Sequence, residues 1–256
     1  GEIYGFNTEF NISSLLKSEN SSLNLGLSYV GRKEKTEVIN PGFEELTDAI
    51  SGRLDFSINN FYSSLEYISK SDDAVVQIIN NQNIFPEDFI KPGHALLVNS
   101  GFSLKGFGLD ATFRRLENMS FYSDREAVSN VYFENVVNFI PALTKQHDYL
   151  LTNIFVYQPQ GAVNFLYDAQ IYKVGEIGSQ IDMYYNIKKG TALGGKYGTK
   201  LAFNASYWAG LKGDINTDFA NPDYTTEFFG FGKKYFSDIS LEVRKKWNTK
   251  LNSIFY

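Results

Sequence analysis

Apolar and polar residues alternate strictly along residues 94–117. After Lys105-Gly106 the alternation restarts, which predicts a two-residue hairpin turn with Leu104 and Phe107 paired on the same face. Each arm has about ten residues, enough to cross a bilayer at a tilt of ~45°. The apolar positions of this hairpin are Leu96, Val98, Phe102, Leu104, Phe107, Leu109, Ala111 and Phe113.

The same alternation recurs along most of the chain and predicts about twelve strands. It is clearest at residues 23–29, where Leu23, Leu25, Leu27 and Tyr29 share one face. The other predicted strands are residues 3–14, 53–58, 61–67, 148–157, 164–172, 180–187, 201–207, 238–244 and the C-terminal segment to Tyr256. A mostly apolar run at residues 74–79 favours a short helix or strand of its own.

Short and long connections follow one another along the predicted strands. The short set is near 17–20, 59–60, 105–106, 158–161, 188–199 and 247–248, and the long set is 31–47, 70–93, 118–147 and 210–233. Short turns at one rim and long loops at the other are typical of an up-and-down transmembrane β-barrel. A soluble β-sandwich or a β-solenoid also has alternating strands, but a sandwich has Greek-key crossings that do not sort loops by length.

Composition is compatible with this architecture. Apolar residues make up 43% of the chain and the mean hydropathy is −0.26. No run of about 18 apolar residues occurs, which excludes a transmembrane helix. Aromatic residues are frequent at 16%, and Phe61, Phe107 and Trp247 lie beside short turns, where an interfacial aromatic girdle is expected.

Charge and cysteine content exclude several classes of partner and site. The net charge of −5 and the lack of a long Lys/Arg run argue against nucleic acid. The absence of cysteine excludes disulfides and thiolate metal sites. Residues 1–4 begin in strand-like sequence with no secretory signal, although a barrel must be exported, so we expect the chain to be an excerpt or a processed form.

Nine charged residues fall on the polar side of the predicted strands. If the apolar side faces lipid, these residues line a barrel lumen and could set the charge selectivity of a pore. Alternatively, they form cross-strand ion pairs and hydrogen bonds that fill a closed interior. The nine are Arg53, Asp55, Glu66, Asp110, Arg114, Asp182, Asp238, Glu242 and Arg244.

Catalytic and metal-binding motifs are weak. His94 and His147 are the only histidines, and neither has a second ligand or base at a suitable spacing. The glycine-rich run 190–198 lacks the Lys-Ser/Thr ending of a phosphate loop and lies between two strands, so it predicts a flexible turn. We therefore expect no catalytic residue, no metal and no cofactor. The apolar segment 138–147 favours a loop folded into the lumen or an extension over the rim.

Several stretches resemble an uncharacterised family of outer-membrane β-barrels from the Bacteroidetes. They are FRRLENM at 113–119, SDR at 123–125, NFIPALTKQH at 138–147, GEIGSQIDMYYNIKKG at 175–190 and GGKYGTK at 194–200. The resemblance implies an outer-membrane location and a longer chain of which this one is an internal portion. It assigns no activity and no functional residues.

These observations together predict an all-β, antiparallel up-and-down transmembrane barrel, or part of one, with residues 1–256 as one domain. The predicted location is the outer membrane of a Gram-negative bacterium, and the predicted function is a passive pore or uptake channel for small polar solutes. The alternative is a structural or accessory component of a secretion or surface-display complex. Expected partners are outer-membrane lipid and other envelope proteins that bind the long loops.

Overall fold

The computed structural model describes most of the chain. The described residues are 2–16, 20–33, 45–75, 78–79, 82–83, 89–119, 175–216, 218, 221 and 223–256. Within them, one antiparallel sheet of ten strands dominates, accompanied by a two-stranded hairpin and one short helix. No helix in these ranges is long and apolar enough to cross a membrane.

Long strands form most of the sheet. They are β1 (Glu2–Asn11), β2 (Ser21–Lys33), β3 (Leu46–Ile58), β4 (Phe61–Ala74), β7 (Ile90–Leu104), β8 (Phe107–Glu117), β9 (Gly175–Ile187), β10 (Thr199–Asn216), β11 (Asp223–Lys246) and β12 (Asn252–Phe255). The small hairpin consists of β5 (Ile78–Ile79) and β6 (Gln82–Asn83), and α1 spans Ile12–Leu16. The Asn11 side chain caps α1 by accepting a hydrogen bond from the Ser14 amide at 2.7 Å.

The order of strands in the sheet follows their order in the chain: β1-β2-β3-β4-β7-β8-β9-β10-β11-β12. This antiparallel meander confirms the predicted all-β class, and its described strands show neither Greek-key crossings nor the parallel pairing of a solenoid. Among the described residues no pairing joins β1 to β12, so the sheet is open. Closure into a barrel stays a prediction.

The two predicted tight turns occur as expected. Ile58 pairs with Phe61 and Leu104 pairs with Phe107. Asn59 has a φ of 50° and Gly106 a φ of 85°, the left-handed conformations that Asn and Gly adopt most readily in such turns. Period-two alternation and turn residues thus fix the register of both hairpins.

Three predicted loops are shorter than expected, because the strands extend beyond the segments in which apolar and polar residues alternate. β2 extends to Lys33 and β3 begins at Leu46, inside the expected loop 31–47, and β4 and β7 enter the expected loop 70–93. The expected loop 210–233 is mostly strand, since only residues 217–222 separate β10 from β11. β8 pairs directly with β9, and the strands predicted at 148–157 and 164–172 lie outside the described residues.

The strand ends fall into two groups, called here the turn end and the loop end. The connections 12–20, 59–60, 105–106, 188–198 and 247–251 join strands at the turn end. The connections 34–45, 75–89, 118–174 and 217–222 join them at the loop end. Residues 217–222 form a short connection at the loop end, and residues 120–174 lie outside the described residues, so the asymmetry of turns and loops stays a prediction.

One side of the sheet, the apolar face, carries the alternating apolar residues of every long strand. Direct cross-strand pairing aligns one row of this face across seven strands: Ile58, Phe61, Phe102, Leu109, Met183, Phe203 and Leu241. Ile58 is 39% exposed and Leu241 54% exposed, and Phe61 and Met183 are each 37% exposed. Charged residues of this face lie near the strand ends, as at Glu2, Lys33 and Asp48 at the loop end and Lys245 at the turn end.

Aromatic rings concentrate near both ends of the apolar face. Near the turn end, Phe56 contacts Phe61 with ring centroids 6.4 Å apart, and Phe107 lies 6.3 Å from Phe102 and 6.5 Å from Tyr185. Nearer the loop end, Tyr29 contacts Tyr4 and Phe6, Tyr67 stacks on His94, and Tyr207 contacts Phe231. The apolar face is therefore bounded by two aromatic belts.

The opposite side, the polar face, has a different character at each end. Towards the turn end its residues are small, polar or charged and at least partly exposed, as at Asn7, Ser28 and Ser64. Towards the loop end it is buried and includes an apolar cluster of Ala49, Ile68, Ala95, Leu97, Leu116 and Met119. The core of the described chain thus lies on the polar face at the loop end.

Candidate functional site

All nine sequence-predicted charged residues lie on the polar face. The register places Arg53 opposite Glu66, Asp110 opposite Asp182, and Arg114 opposite Gly178. On the later strands, Ser206 is opposite Asp238, Ala202 opposite Glu242, and Lys200 opposite Arg244. Asp55 follows Arg53 by two residues on β3 and therefore shares its face.

Arg53 organises the polar face across the first three strands. Its guanidinium lies over Gly26, directly opposite on β2, in the space that a side chain there would occupy. It donates hydrogen bonds to the Ser28 hydroxyl and the Asn7 side chain, and its Nη2 lies 3.4 Å from Glu9 Oε1. Because these groups are partly exposed, the contacts orient Arg53 rather than contribute much stability.

Asp110 and Asp182 occupy the middle of the sheet near the turn end. The Tyr62 hydroxyl donates to Asp110 across Gly101 on the intervening strand. Asp182 accepts hydrogen bonds from the side-chain amides of Asn204 and Gln180, the latter at 2.9 Å. These carboxylates therefore form a partly exposed acidic region that accepts hydrogen bonds from neutral donors.

A first buried charge cluster lies at the loop end of β2, β3 and β4. Arg32 Nη2 donates to Thr47 Oγ1 at 2.6 Å and lies 3.5 Å from Asp73 Oδ1. Lys70 Nζ donates to the other oxygen of Asp73 at 2.9 Å. All four side chains are buried, with Arg32 fully so. Arg32 and Lys70 thus share the Asp73 carboxylate.

A second buried charge cluster lies on β8, β9 and β10. Arg114 forms an ion pair with Glu176, and both side chains are 1% exposed. The Arg114 guanidinium also lies over the Trp208 ring, 4.7 Å from its centroid. Gly178 lies directly opposite both Arg114 and Trp208, and its lack of a side chain provides the space that the ring fills. Together the two clusters form what we call the buried charge layer.

Substitution of Gly178 by valine tests this packing. A Cβ at residue 178 would overlap the Trp208 ring, so we expect the free energy of unfolding to fall by ~1–3 kcal/mol. Gly52→Val is the matched control, because a Cβ built at Gly52 meets nothing within 4 Å. Chemical unfolding of both variants in detergent measures the difference. Equal stability of the two would show that Trp208 does not pack as described.

Sequence reasoning identified Arg114 but missed most of the buried charge layer. Arg32, Lys70 and Asp73 fell in segments interpreted as loops, and Glu176 preceded the recognised strand pattern. Their signal was weak, because a charged residue beyond the last apolar position is typical of a loop as well as of a strand end. Glu66, which was predicted, is buried and accepts a hydrogen bond from Ser51.

The paired loop-end segments of β10 and β11 form an arm that contacts β8 and β7. Register shifts between Trp208 and Gly213 mark the bend. The arm contacts Arg115, which lies 4.4 Å from the Phe228 ring centroid and 3.2 Å from Thr226 Oγ1. Thr226 also donates to Glu117 at 3.0 Å.

At the tip of this arm, two ionisable residues lie close to Lys91. Asp223 Oδ1 is 2.5 Å from Lys91 Nζ, and hydrogen bonding to that ammonium lowers the pKa of Asp223. Burial, followed by the Glu117 carboxylate, raises the pKa of the neighbouring Tyr224. These contacts fasten the arm to the loop end of β7.

In the described structure His94 contacts an aromatic residue of β4, and the glycine-rich run forms a turn. His94 Nδ1 lies 3.0 Å from the Tyr67 hydroxyl, and His147 lies outside the described residues, as does the segment 138–147. Residues 188–198 form a hydrogen-bonded turn in which Gly195 accepts from Gly190 at 2.7 Å. Within the described ranges, no three acidic or histidine side chains come together as metal ligands do.

The comparisons with known proteins identify the family. Residues 1–256 match the family of unknown function DUF6029 over the whole chain. The chain belongs to this family. No curated protein and no solved structure matches the DUF6029 chain.

Proposed function

We propose that the ten-stranded sheet is the membrane-inserted wall of an outer-membrane β-barrel. We propose that the protein is a narrow passive pore or uptake channel for small polar solutes. The observation that carries the proposal is the exposed apolar face. Every strand of the sheet contributes to it, and each strand except the four-residue β12 has at least the nine to eleven residues that cross a bilayer at a tilt.

A soluble protein rarely exposes an apolar surface of this extent. Contiguous apolar patches on soluble monomers are usually a few hundred Å², whereas this face continues across seven strands in a single row. The two aromatic belts support the same interpretation, because rings of aromatic residues flank the lipid-facing band of outer-membrane barrels.

The polar face supports the pore. Its turn-end half carries Arg53, Asp110 and Asp182 in accessible or half-buried positions, as expected for a wall in contact with water. Its loop-end half holds the buried charge layer and the apolar cluster that includes Ile68 and Leu97. We infer a wide entrance at the turn end and a constriction at the buried charge layer.

Single-channel conductance in a planar bilayer tests this function. The protein should give discrete, ion-selective steps, and Asp110→Asn should reduce cation preference because it removes an accessible negative charge from the path. Asp214→Asn is the matched control, since Asp214 lies on the arm at the loop end and should leave selectivity unchanged. Absence of steps from folded, inserted protein would contradict the pore.

The buried layer also favours a second candidate, a structural or accessory component of an envelope assembly. If side chains on the polar face block the lumen completely at the loop end, the sheet serves as a scaffold. The long loops are then the surface that binds partner proteins. Silent bilayers together with a protein that co-purifies through the loops would select this alternative.

A further inference from the structure

A pocket with a volume of about 830 Å³ lies at the turn end, between the β7–β8 and β9–β10 connections and the turn ends of β11 and β12. Its size falls within the range of small-molecule sites. The turns around it are held together by backbone hydrogen bonds, including one from the Asn186 amide to the Gly106 carbonyl at 2.7 Å. The pocket is separate from the buried charge layer, which lies at the opposite end of the strands.

The charged residues that line this pocket are all basic. Seven of its seventeen described lining residues are Lys or Arg, and none of the seventeen is Asp or Glu. This contrasts with the whole chain, whose net charge is −5. The lysines are Lys105, Lys188, Lys189, Lys200, Lys245 and Lys246.

The strand register brings two of the pocket's cations together. Lys200 is directly opposite Arg244 in the pairing of β10 with β11, and like charges in that relation destabilise a sheet. Glu242 forms an ion pair with Arg244 and relieves part of this repulsion. The pocket lysines come from the β7–β8 and β9–β10 connections and from the turn ends of β10 and β11, and their mutual repulsion favours binding of an anion.

Neutral groups of the lining complement a phosphate-bearing ligand. The Lys246 ammonium lies 5.3 Å from the Tyr197 ring centroid, a contact that holds it at the pocket wall. Asn186, Thr199, Asn252 and Ser253 add hydrogen-bonding side chains to the lining. The Lys245 ammonium donates to the Leu193 carbonyl at 3.1 Å, so the other five lysines supply the charge. Lysine binds phosphate as a point charge, and five lysines around one pocket exceed what a single phosphate needs.

We propose that this pocket binds a ligand with several phosphate groups or phosphate and other anionic groups. The pocket's charge does not depend on whether the sheet enters a membrane, so the proposal stands apart from the pore. The phosphate could belong to a soluble solute or to a lipid headgroup, since basic clusters at a membrane surface attract anionic lipids.

Calorimetric titration of the whole chain in neutral detergent with sodium tripolyphosphate tests the soluble source. Flotation with vesicles of phosphatidylglycerol, compared with phosphatidylcholine alone, tests the lipid source. The pocket variant Lys188→Gln/Lys189→Gln/Lys246→Gln should bind about tenfold more weakly in whichever arm gives binding, a loss of about 1.4 kcal/mol. Thermal unfolding of the variant checks that the turns still fold.

The matched control is Lys33→Gln/Lys212→Gln/Lys234→Gln. It makes the same change in net charge, but its three exposed lysines lie outside the pocket, so its binding should stay within about twofold of the unsubstituted chain. Binding of tripolyphosphate supports a soluble ligand, and binding of phosphatidylglycerol alone supports a headgroup. Equal losses in both variants, or no binding in either arm, would overturn the proposal.

Discussion

Replacement of Glu176 by glutamine is expected to lower the free energy of unfolding by ~3–5 kcal/mol. The Glu176 and Arg114 side chains are each 1% exposed and form an ion pair. Glutamine has nearly the same shape but no charge, so the variant keeps the packing and removes the Glu176 charge that faces the buried Arg114 guanidinium. Unfolding in guanidinium chloride, followed by tryptophan fluorescence in detergent, measures the loss.

The matched control for this prediction is Glu227→Gln. Glu227 pairs with Lys212 at 2.7 Å, but the two side chains are 60% and 57% exposed. Solvent screens such a pair, so its loss should cost at most ~1 kcal/mol. A Glu176→Gln variant no less stable than Glu227→Gln would show that the charge layer is hydrated rather than buried.

Replacement of Leu65 by arginine is expected to lower the stability of the membrane-inserted protein by ~2–4 kcal/mol. Leu65 lies on the apolar face, 41% exposed, and pairs with Leu54 and Val98. If this face contacts lipid, the guanidinium must enter hydrocarbon. Folding titrations into phospholipid vesicles, read by heat-modifiable gel mobility, measure the effect.

Ser64→Arg is the matched control, because Ser64 precedes Leu65 on β4 and lies on the polar face between Asp55 and Asn99. There an arginine meets water and a carboxylate, and we expect insertion to be nearly unaffected. If the two variants insert equally well, the apolar face does not contact lipid. If both fail, β4 tolerates no large cation and a Thr112→Arg variant on β8 replaces the control.

The sheet was largely predictable because its signal is local. Alternation identifies a strand, and the residues at 59–60 and 105–106 fix which positions face each other, so Leu104 and Phe107 could be paired from sequence alone. The same alternation assigned the nine charged residues to one face. Such an assignment of residues to faces is valid wherever one face of the sheet is consistently apolar.

The charge layer was not predictable because its signal is not local. Arg32, Thr47 and Asp73 come from three different strands. In the sequence, each is a polar residue beyond the last apolar position of its predicted strand, as in a loop or at a strand end. Their burial becomes visible only when register and neighbouring strands are known. Closure of the sheet into a barrel also depends on contacts between distant segments, so alternation along the sequence does not predict it.

The arm of β10 and β11 was misread for a related reason. Its residues lack the clean alternation of the other strands because bulges between Trp208 and Gly213 change the register. Polar and glycine residues in 210–233 then look like a loop. The pairing of Gly213 with Thr226 and of Ile215 with Tyr224 shows that both segments are strands.

Site-directed spin labelling along β4 tests the central claim, that the apolar face contacts lipid and the polar face contacts water. The chain has no cysteine, so single cysteines at positions 61 to 67 can be labelled without background. In vesicles, labels at 61, 63, 65 and 67 should be accessible to oxygen, and those at 62 and 64 to a water-soluble nickel complex. Uniform access of the nickel complex at all positions would contradict membrane insertion.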